Sequence, residues 1–185
     1  MQMRNRVRII GGEWRSRILT FPNDMDLRPT PDRVRETVFN WLGQDMSHKR
    51  CLDLFAGSGA MGFEAASRGA AEVVMVESSP VVLKALRATA RKLGATRVEL
   101  AGADAMNFID SDRRRFDVIF LDPPYRLDLL PRLLPKLHAH LADGGLIYLE
   151  DDCPVEFEGW TVWRRGNAGK VCYHLLSSTI NKLNG

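Results

Sequence analysis

Ten consecutive residues constrain this chain more than any others: Phe116-Asp117-Val118-Ile119-Phe120-Leu121-Asp122-Pro123-Pro124-Tyr125. The first six form an apolar run of strand length, the pattern of a parallel strand covered on both faces. The run stops abruptly at two prolines, which cannot donate backbone hydrogen bonds and hold the residues before them extended. A buried strand thus ends in a stiff tetrapeptide at its carboxyl end, the edge where open α/β sheets bind ligands. Asp122 supplies a carboxylate there, and the Pro123 carbonyl is a second fixed acceptor. Two fixed acceptors suit an NH2 group, Tyr125 offers a flat face to a planar ring, and Pro124 adjoins it. The plainer reading is a proline-terminated strand with a surface acid and a packed tyrosine, so a second motif is needed.

That motif lies upstream. Cys51 to Ala56 reads as a strand, and Gly57-Ser58-Gly59-Ala60-Met61-Gly62 fits G-x-G-x-x-G. Glycines let backbone approach a ligand closely and let the following helix, expected over about 59–68, sit tight on the sheet. The next strand, Glu72 to Val76, ends in Glu77, where an acid can accept both hydroxyls of a ribose. A dinucleotide and an adenosyl compound both fit so far. Asp53 helps to choose: inside the first strand, its carboxylate faces badly toward a pyrophosphate but suits the ammonium of a bound amino acid. It can also brace the loop through backbone N–H groups. A third strand, Val98 to Ala101, leads to Asp104, which could accept an adenine amino group or cap the helix running to about Ile109.

The remaining segments frame these motifs. Residues 7–10 and 14–21 read as a hairpin turning at Gly11-Gly12. Alternation along a strand puts Arg6 with Arg8 and Arg15 with Arg17. Such a ribbon can track phosphates, with Trp14 stacking on a base, or it can simply protect a sheet edge. The net charge of +3 is modest, but Arg4, Arg6, Arg8, Arg15, Arg17, Arg28, Arg33 and Arg35 crowd the N-terminus, which points to a polyanionic partner. Thr30-Pro31-Asp32 starts a helix with Thr30 as cap. Val34, Val38, Trp41 and Leu42 make its buried face, and Arg33 and Arg35 are expected in solvent. Ser79, Pro80 and Gly94 bound a further helix. A leucine stripe at 130, 133, 134, 137 and 141 makes the next helix, ended by Gly144-Gly145. Leu146 to Leu149 is a strand, Glu150-Asp151-Asp152 its solvated end. Trp160 to Arg164 and Val171 to Leu176 flank a hairpin turn at 166–169.

Length suits one catalytic domain over 30–178, a basic extension over 1–29 and a tail over 179–185. The chain holds no apolar run of the roughly 20 residues that span a bilayer, so no membrane partner is expected. Cys51, Cys153 and Cys172 are odd in number and widely spaced, which suggests a reducing compartment, no disulfide framework and no metal cluster.

The order of strand, glycine loop, Glu77 strand, Asp104 strand, Asp-Pro-Pro-Tyr strand and closing hairpin resembles the class I S-adenosylmethionine-dependent methyltransferases over roughly residues 30–176. The resemblance implies an α/β, Rossmann-like fold: a seven-stranded, mostly parallel sheet with its last strand antiparallel, plus the N-terminal hairpin. Asp-Pro-Pro-Tyr is similar to the tetrapeptide of enzymes that methylate exocyclic amines. The stretches Arg8-Ile9-Ile10-Gly11-Gly12-Glu13-Trp14-Arg15-Ser16-Arg17 and Arg28-Pro29-Thr30-Pro31-Asp32-Arg33-Val34-Arg35-Glu36 resemble the bacterial RsmD-type family, which methylates N2 of a guanine in 16S ribosomal RNA. Ser16 departs from it, standing where a small residue such as glycine belongs.

The resemblance implies S-adenosylmethionine as cofactor, with no metal, held by Asp53, Phe55, Gly57, Ser58, Gly59, Glu77, Asp104, Ala105 and Asp122. Catalysis falls to Asp122, Pro123 and Tyr125. RNA contacts fall to Arg6, Arg8, Trp14, Arg15, Arg17, Pro124 and Tyr125. It further implies a cytoplasmic monomer acting on 16S RNA within the small ribosomal subunit or an assembly intermediate. The rival readings are a DNA or protein-glutamine amino-methyltransferase, an RNA-binding assembly factor without chemistry, and, for the glycine loop alone, an NAD-linked reductase.

Overall fold

The computed structural model describes residues 6–22, 29–124, 128–151 and 157–179. Tyr125, Arg4, Arg28, Cys153 and residues 180–185 lie outside them. The elements run β1 (Arg6–Arg8), β2 (Ile18–Thr20), α1 (Asp32–Leu42), β3 (Arg50–Asp53), α2 (Ala60–Ser67), β4 (Glu72–Glu77), α3 (Pro80–Leu93) and β5 (Val98–Gly102). They continue with α4 (Ala105–Ser111), β6 (Phe116–Leu121), α5 (Leu130–Leu137), β7 (Leu141–Asp151), β8 (Trp160–Ala168) and β9 (Val171–Ser178).

Seven strands form one sheet in the order β5-β4-β3-β6-β7-β9-β8. β3 pairs in parallel with β4 and β6, as β4 does with β5 and β6 with β7. β9 enters antiparallel between β7 and β8. The mostly parallel sheet with its last strand reversed is therefore as expected. The order reverses between β3 and β6, so the carboxyl ends of these two strands, carrying Asp53 and Asp122, flank the switch point of the sheet.

Alternation along each strand makes two cores. Cys51, Met75, Val118, Phe120 and Tyr148 pack under α1, α2, α3 and the N-terminal segment. Leu52, Val74, Ile119, Leu121 and Leu149 pack under α4 and α5. α3 shows its sequence bounds plainly: Ser79 Oγ accepts from Val82 N, Pro80 opens the helix, and Gly94 closes it at φ 64°.

Several boundaries differ from the sequence reading. The N-terminal strands are short, pairing Arg6 with Thr20 and Arg8 with Ile18, and backbone bonds from Ile9 N to Arg17 O and from Ser16 N to Ile9 O carry the hairpin one step further. Gly11 and Gly12 enter the turn of this hairpin, the Gly12 carbonyl accepting from Arg15 N at 3.2 Å, and they also lie on the end of α2. Gly12 has φ +78°, and a Cβ there would lie 1.9 Å from the Ser67 carbonyl oxygen. Contact with α2 thus adds a second requirement for glycine to that of the turn. The leucine stripe divides as well: α5 stops at Leu137, a 3-10 turn covers His138–His140, and Leu141 opens β7. Gly144-Gly145 falls in an irregularity where β7 shifts register against β6. The second hairpin turns at Gly169-Lys170, because Ala168 pairs with Val171, while Gly166 lies under the ring of Tyr173. Cys172 is disulfide-bonded, contrary to the expectation of unpaired cysteines, whereas Cys51 is a buried free thiol.

Candidate active site

Register and pleat bring three carboxylates to one face of the sheet. Asp53 aligns with Phe120, and Phe120 with Tyr148. Two residues beyond Phe120 and Tyr148, on the same face, stand Asp122 and Glu150. Asp53 and Asp122 border a cavity of about 270 Å³ whose lining also includes Phe55, Gly57, Ser58, Glu77, Asp104, Ala105 and Pro124, while Glu150 stands just outside that lining. Gly59 and Pro123 do not line it.

The glycine loop is built as its sequence required. Gly57 and Gly59 have φ of 51° and 80°. A Cβ on Gly62 would come within 2.8 Å of Met75 and 3.1 Å of Asp53 Oδ2, so the third glycine lets α2 approach the sheet. Asp53 Oδ2 accepts from Gly62 N at 3.0 Å. Glu77 braces the loop, one oxygen accepting from Gly57 N at 3.0 Å and the other from Ser79 N at 2.8 Å. Asp104 caps α4, accepting from Met106 N and Asn107 N, and also lines the cavity, so both of its sequence roles remain compatible.

The electrostatics are unusual. Asp53 is 4% exposed, and burial, with some repulsion from Glu77, raises its pKa from 3.8 to about 7. Asp122 is held well above the usual carboxylate range by burial, then by Glu150 and then by Asp53. Among the described residues no lysine or arginine is paired with Asp53, Asp122 or Glu150. Buried carboxylates without cations are costly. A ligand that brings its own positive charge relieves that cost, which is the fit an amino-acid ammonium or a sulfonium offers.

Three expectations are corrected here. Glu150 is not a solvated strand end: it is 8% exposed, and its Oε1 accepts from Thr30 Oγ1 at 2.7 Å and Tyr148 OH at 2.6 Å. Thr30 therefore does not cap α1, whose cap position is Pro31. Arg35 is not in solvent. It is fully buried, donating to Glu64 at 3.1 Å, to the carbonyls of Thr30 and Arg8 at 3.1 and 2.9 Å, and to Asp32. The parity of β7, with Glu150 on the face of Tyr148, was the available signal for Glu150. Nothing in the sequence pattern marked Arg35.

The N-terminal arginines are not one ribbon. Arg6 and Arg8 are exposed on either side of buried Val7, near the start of α1, where Arg8 pairs with Asp32 at 3.2 Å. Arg15 and Arg17, also exposed, precede β2 in the turn. Trp14 is 6% exposed and packed in the core, its backbone N–H on Ser67 Oγ at the far end of α2 from the glycine loop. Its ring is not presented to a base, so the stacking expectation for Trp14 fails.

The family model described as "Conserved hypothetical protein 95" matches residues 7–177. Ribosomal RNA small subunit methyltransferase D of Escherichia coli K12 is 41% identical over 175 residues, covering 91% of this chain and 88% of that protein. The chain belongs to this methyltransferase family. A solved structure described as a putative methyltransferase from Escherichia coli superposes with a TM-score of 0.85 at 40% identity, covering 94% of this chain and 98% of that one. An RNA methyltransferase from Salinibacter ruber, solved with S-adenosyl-L-homocysteine, shares the fold at 23% identity, with a TM-score of 0.66 and coverage of 80% and 92%. Membership makes the switch-point cavity the place to look for the family's chemistry.

Proposed function

We propose that this chain transfers a methyl group from S-adenosylmethionine to the exocyclic N2 amine of one guanine in 16S ribosomal RNA. The observation that carries the reading is Asp122-Pro123-Pro124, set at the end of β6 beside a cavity that also holds buried Asp53. The names of the related proteins support ribosomal RNA as the substrate class.

When bound, the cofactor supplies an electrophilic sulfonium methyl. Asp53 receives its ammonium, directly or through water, Glu77 the ribose hydroxyls and Asp104 the adenine amino group. Phe55, Gly57, Ser58 and Ala105 supply the remaining walls, and Gly59 shapes the loop. Guanine N2 is a poor nucleophile because its lone pair is delocalised into the ring. Hydrogen bonds from the NH2 to Asp122 and to the Pro123 carbonyl favour a pyramidal nitrogen and stabilise its developing positive charge. Catalysis is then mostly orientation and fixed electrostatics. Tyr125 and Pro124 hold the base, and a paired guanine is unstacked first. Arg6, Arg8, Arg15 and Arg17 meet phosphates, and the N-terminal extension is the RNA-binding part of a cytoplasmic monomer.

The test offers radiolabelled S-adenosylmethionine with small subunits and naked 16S RNA from cells lacking the enzyme, followed by nucleoside mass spectrometry. N2-methylguanosine at a single site is expected. Label on adenine, cytosine or protein overturns the base assignment, and absence of label on either substrate overturns the enzymatic reading.

A further inference from the structure

The carboxylate beside Asp122 has no part in that scheme, yet it is the more firmly held of the two. Glu150 is buried on β7, and two hydroxyls donate to the same oxygen: Thr30 Oγ1, from the segment entering α1, and Tyr148 OH, two residues back on its own strand. Hydroxyl donors to a carboxylate make strong hydrogen bonds that fix its place. The register sets Glu150 opposite Asp122, since Leu121 pairs with Leu149 one residue earlier, and neighbouring strands lie about 4.8 Å apart. Thr30, Tyr148 and Asp122 all line the cavity.

We propose that Glu150 is a positioning residue: held beside Asp122 by Thr30 and Tyr148, it makes Asp122 the group that takes up the proton released by amine methylation. The inference rests on the function proposed above. As the amine nitrogen forms its bond to the methyl carbon, the C–S bond breaks with its electron pair going to sulfur, and the nitrogen becomes cationic. It then gives one proton to the Asp122 carboxylate, which later passes it to water. Desolvation already makes a carboxylate a better acceptor for this proton than one in water, and a fixed negative neighbour makes it better still.

The titratable groups facing Asp122 are Glu150 from β7 and Asp53 from β3. Facing Glu150 are Asp122, Tyr148 and, across the β9 pairing, Tyr173. Both neighbours of Asp122 are acids, so both favour its protonation. The upward displacement of Asp122 agrees with that arrangement.

Glu150→Gln removes the charge and keeps the shape. Carboxyl-carbon NMR of the whole protein with S-adenosylhomocysteine bound should show the Asp122 titration midpoint falling by at least about one pH unit. Steady-state kinetics on the small subunit should show kcat falling at least about tenfold, with the acid limb of its pH profile displaced downward and KM for RNA within about twofold. Thr30→Val, a milder change that keeps the Glu150 charge, covers the case in which Glu150→Gln does not fold. It should move the Asp122 midpoint and the acid limb in the same sense, downward, by less than Glu150→Gln, because a carboxylate held by one hydroxyl fewer sits less firmly against Asp122. An unmoved Asp122 midpoint in the folded variant, or a kcat loss without displacement of the acid limb, overturns the inference. If wild-type protein fails to label RNA, the parent reading fails instead, and the NMR titration still decides whether Glu150 acts on Asp122.

Discussion

Two groups of buried charge lie under the same helices and are wired in opposite ways. On α2, fully buried Glu64 accepts from Arg35 at 3.1 Å, Arg68 at 2.8 Å, and the backbone N–H groups of Ile10 and Gly11 at 2.9 Å each. Arg35 in turn is saturated with acceptors, although burial lowers its pKa despite Glu64 and Asp32. Every charge there meets its complement, and the result ties the N-terminal segment, α1 and α2 together. At the carboxyl edge, Asp53, Asp122 and Glu150 gather without a described cation. The comparison separates structure from function: a compensated buried network holds the fold, whereas an uncompensated one waits for a ligand to supply the missing charge.

The sharpest way to break the comparison is to remove one member from each group. Arg35→Ala leaves Glu64 buried with less compensation and should cost about 3–5 kcal/mol in denaturant unfolding. Asp122→Ala should leave unfolding unchanged or more favourable to the native state, while kcat falls roughly 10²–10³-fold. Strong destabilisation by the second substitution, or near-normal turnover, would erase the distinction.

A smaller effect sharpens it through pH. The folded value of Asp53, about 7, lies above its unfolded value of 3.8. Between these limits the folded state binds more protons than the unfolded chain, so stability without cofactor should fall as pH rises from about 4 to about 7. Denaturant melts across that range should show the slope, Asp53→Asn should flatten it, and S-adenosylhomocysteine should oppose it. A slope that survives Asp53→Asn would place its origin elsewhere.

The smallest effect concerns the compensated side. Ser16, which stands where the family resemblance called for glycine, has φ +67°. A side chain in the left-handed region costs roughly 1–2 kcal/mol. Ser16→Gly should therefore raise unfolding stability by about 1 kcal/mol, somewhat offset by the greater freedom of glycine in the unfolded chain. A loss of stability would show that the serine has a compensating contact.

Local signals read well where one physical requirement dominated. The apolar run of β6 followed by two prolines, the glycines that let α2 approach Met75, and the Ser79-Pro80 to Gly94 limits of α3 each depend on residues close in sequence. They led to the layered sheet, the family and the cavity walls. Readings failed where distant partners set the outcome. Trp14 looked like a stacking platform until the core enclosed it. Leu141 continued a helical stripe but pairs with Phe116 as a strand.

By itself the sequence determined the order of elements, the glycine loop, the Asp-Pro-Pro edge and the acids placed at strand ends, because periodicity, proline and glycine act through the local backbone. Tertiary structure alone decided which charges are compensated. Arg35 and Glu64 are 29 residues apart, and Thr30 and Glu150 are 120 apart. No local pattern records such pairs, because burial and partnership are properties of the packed chain.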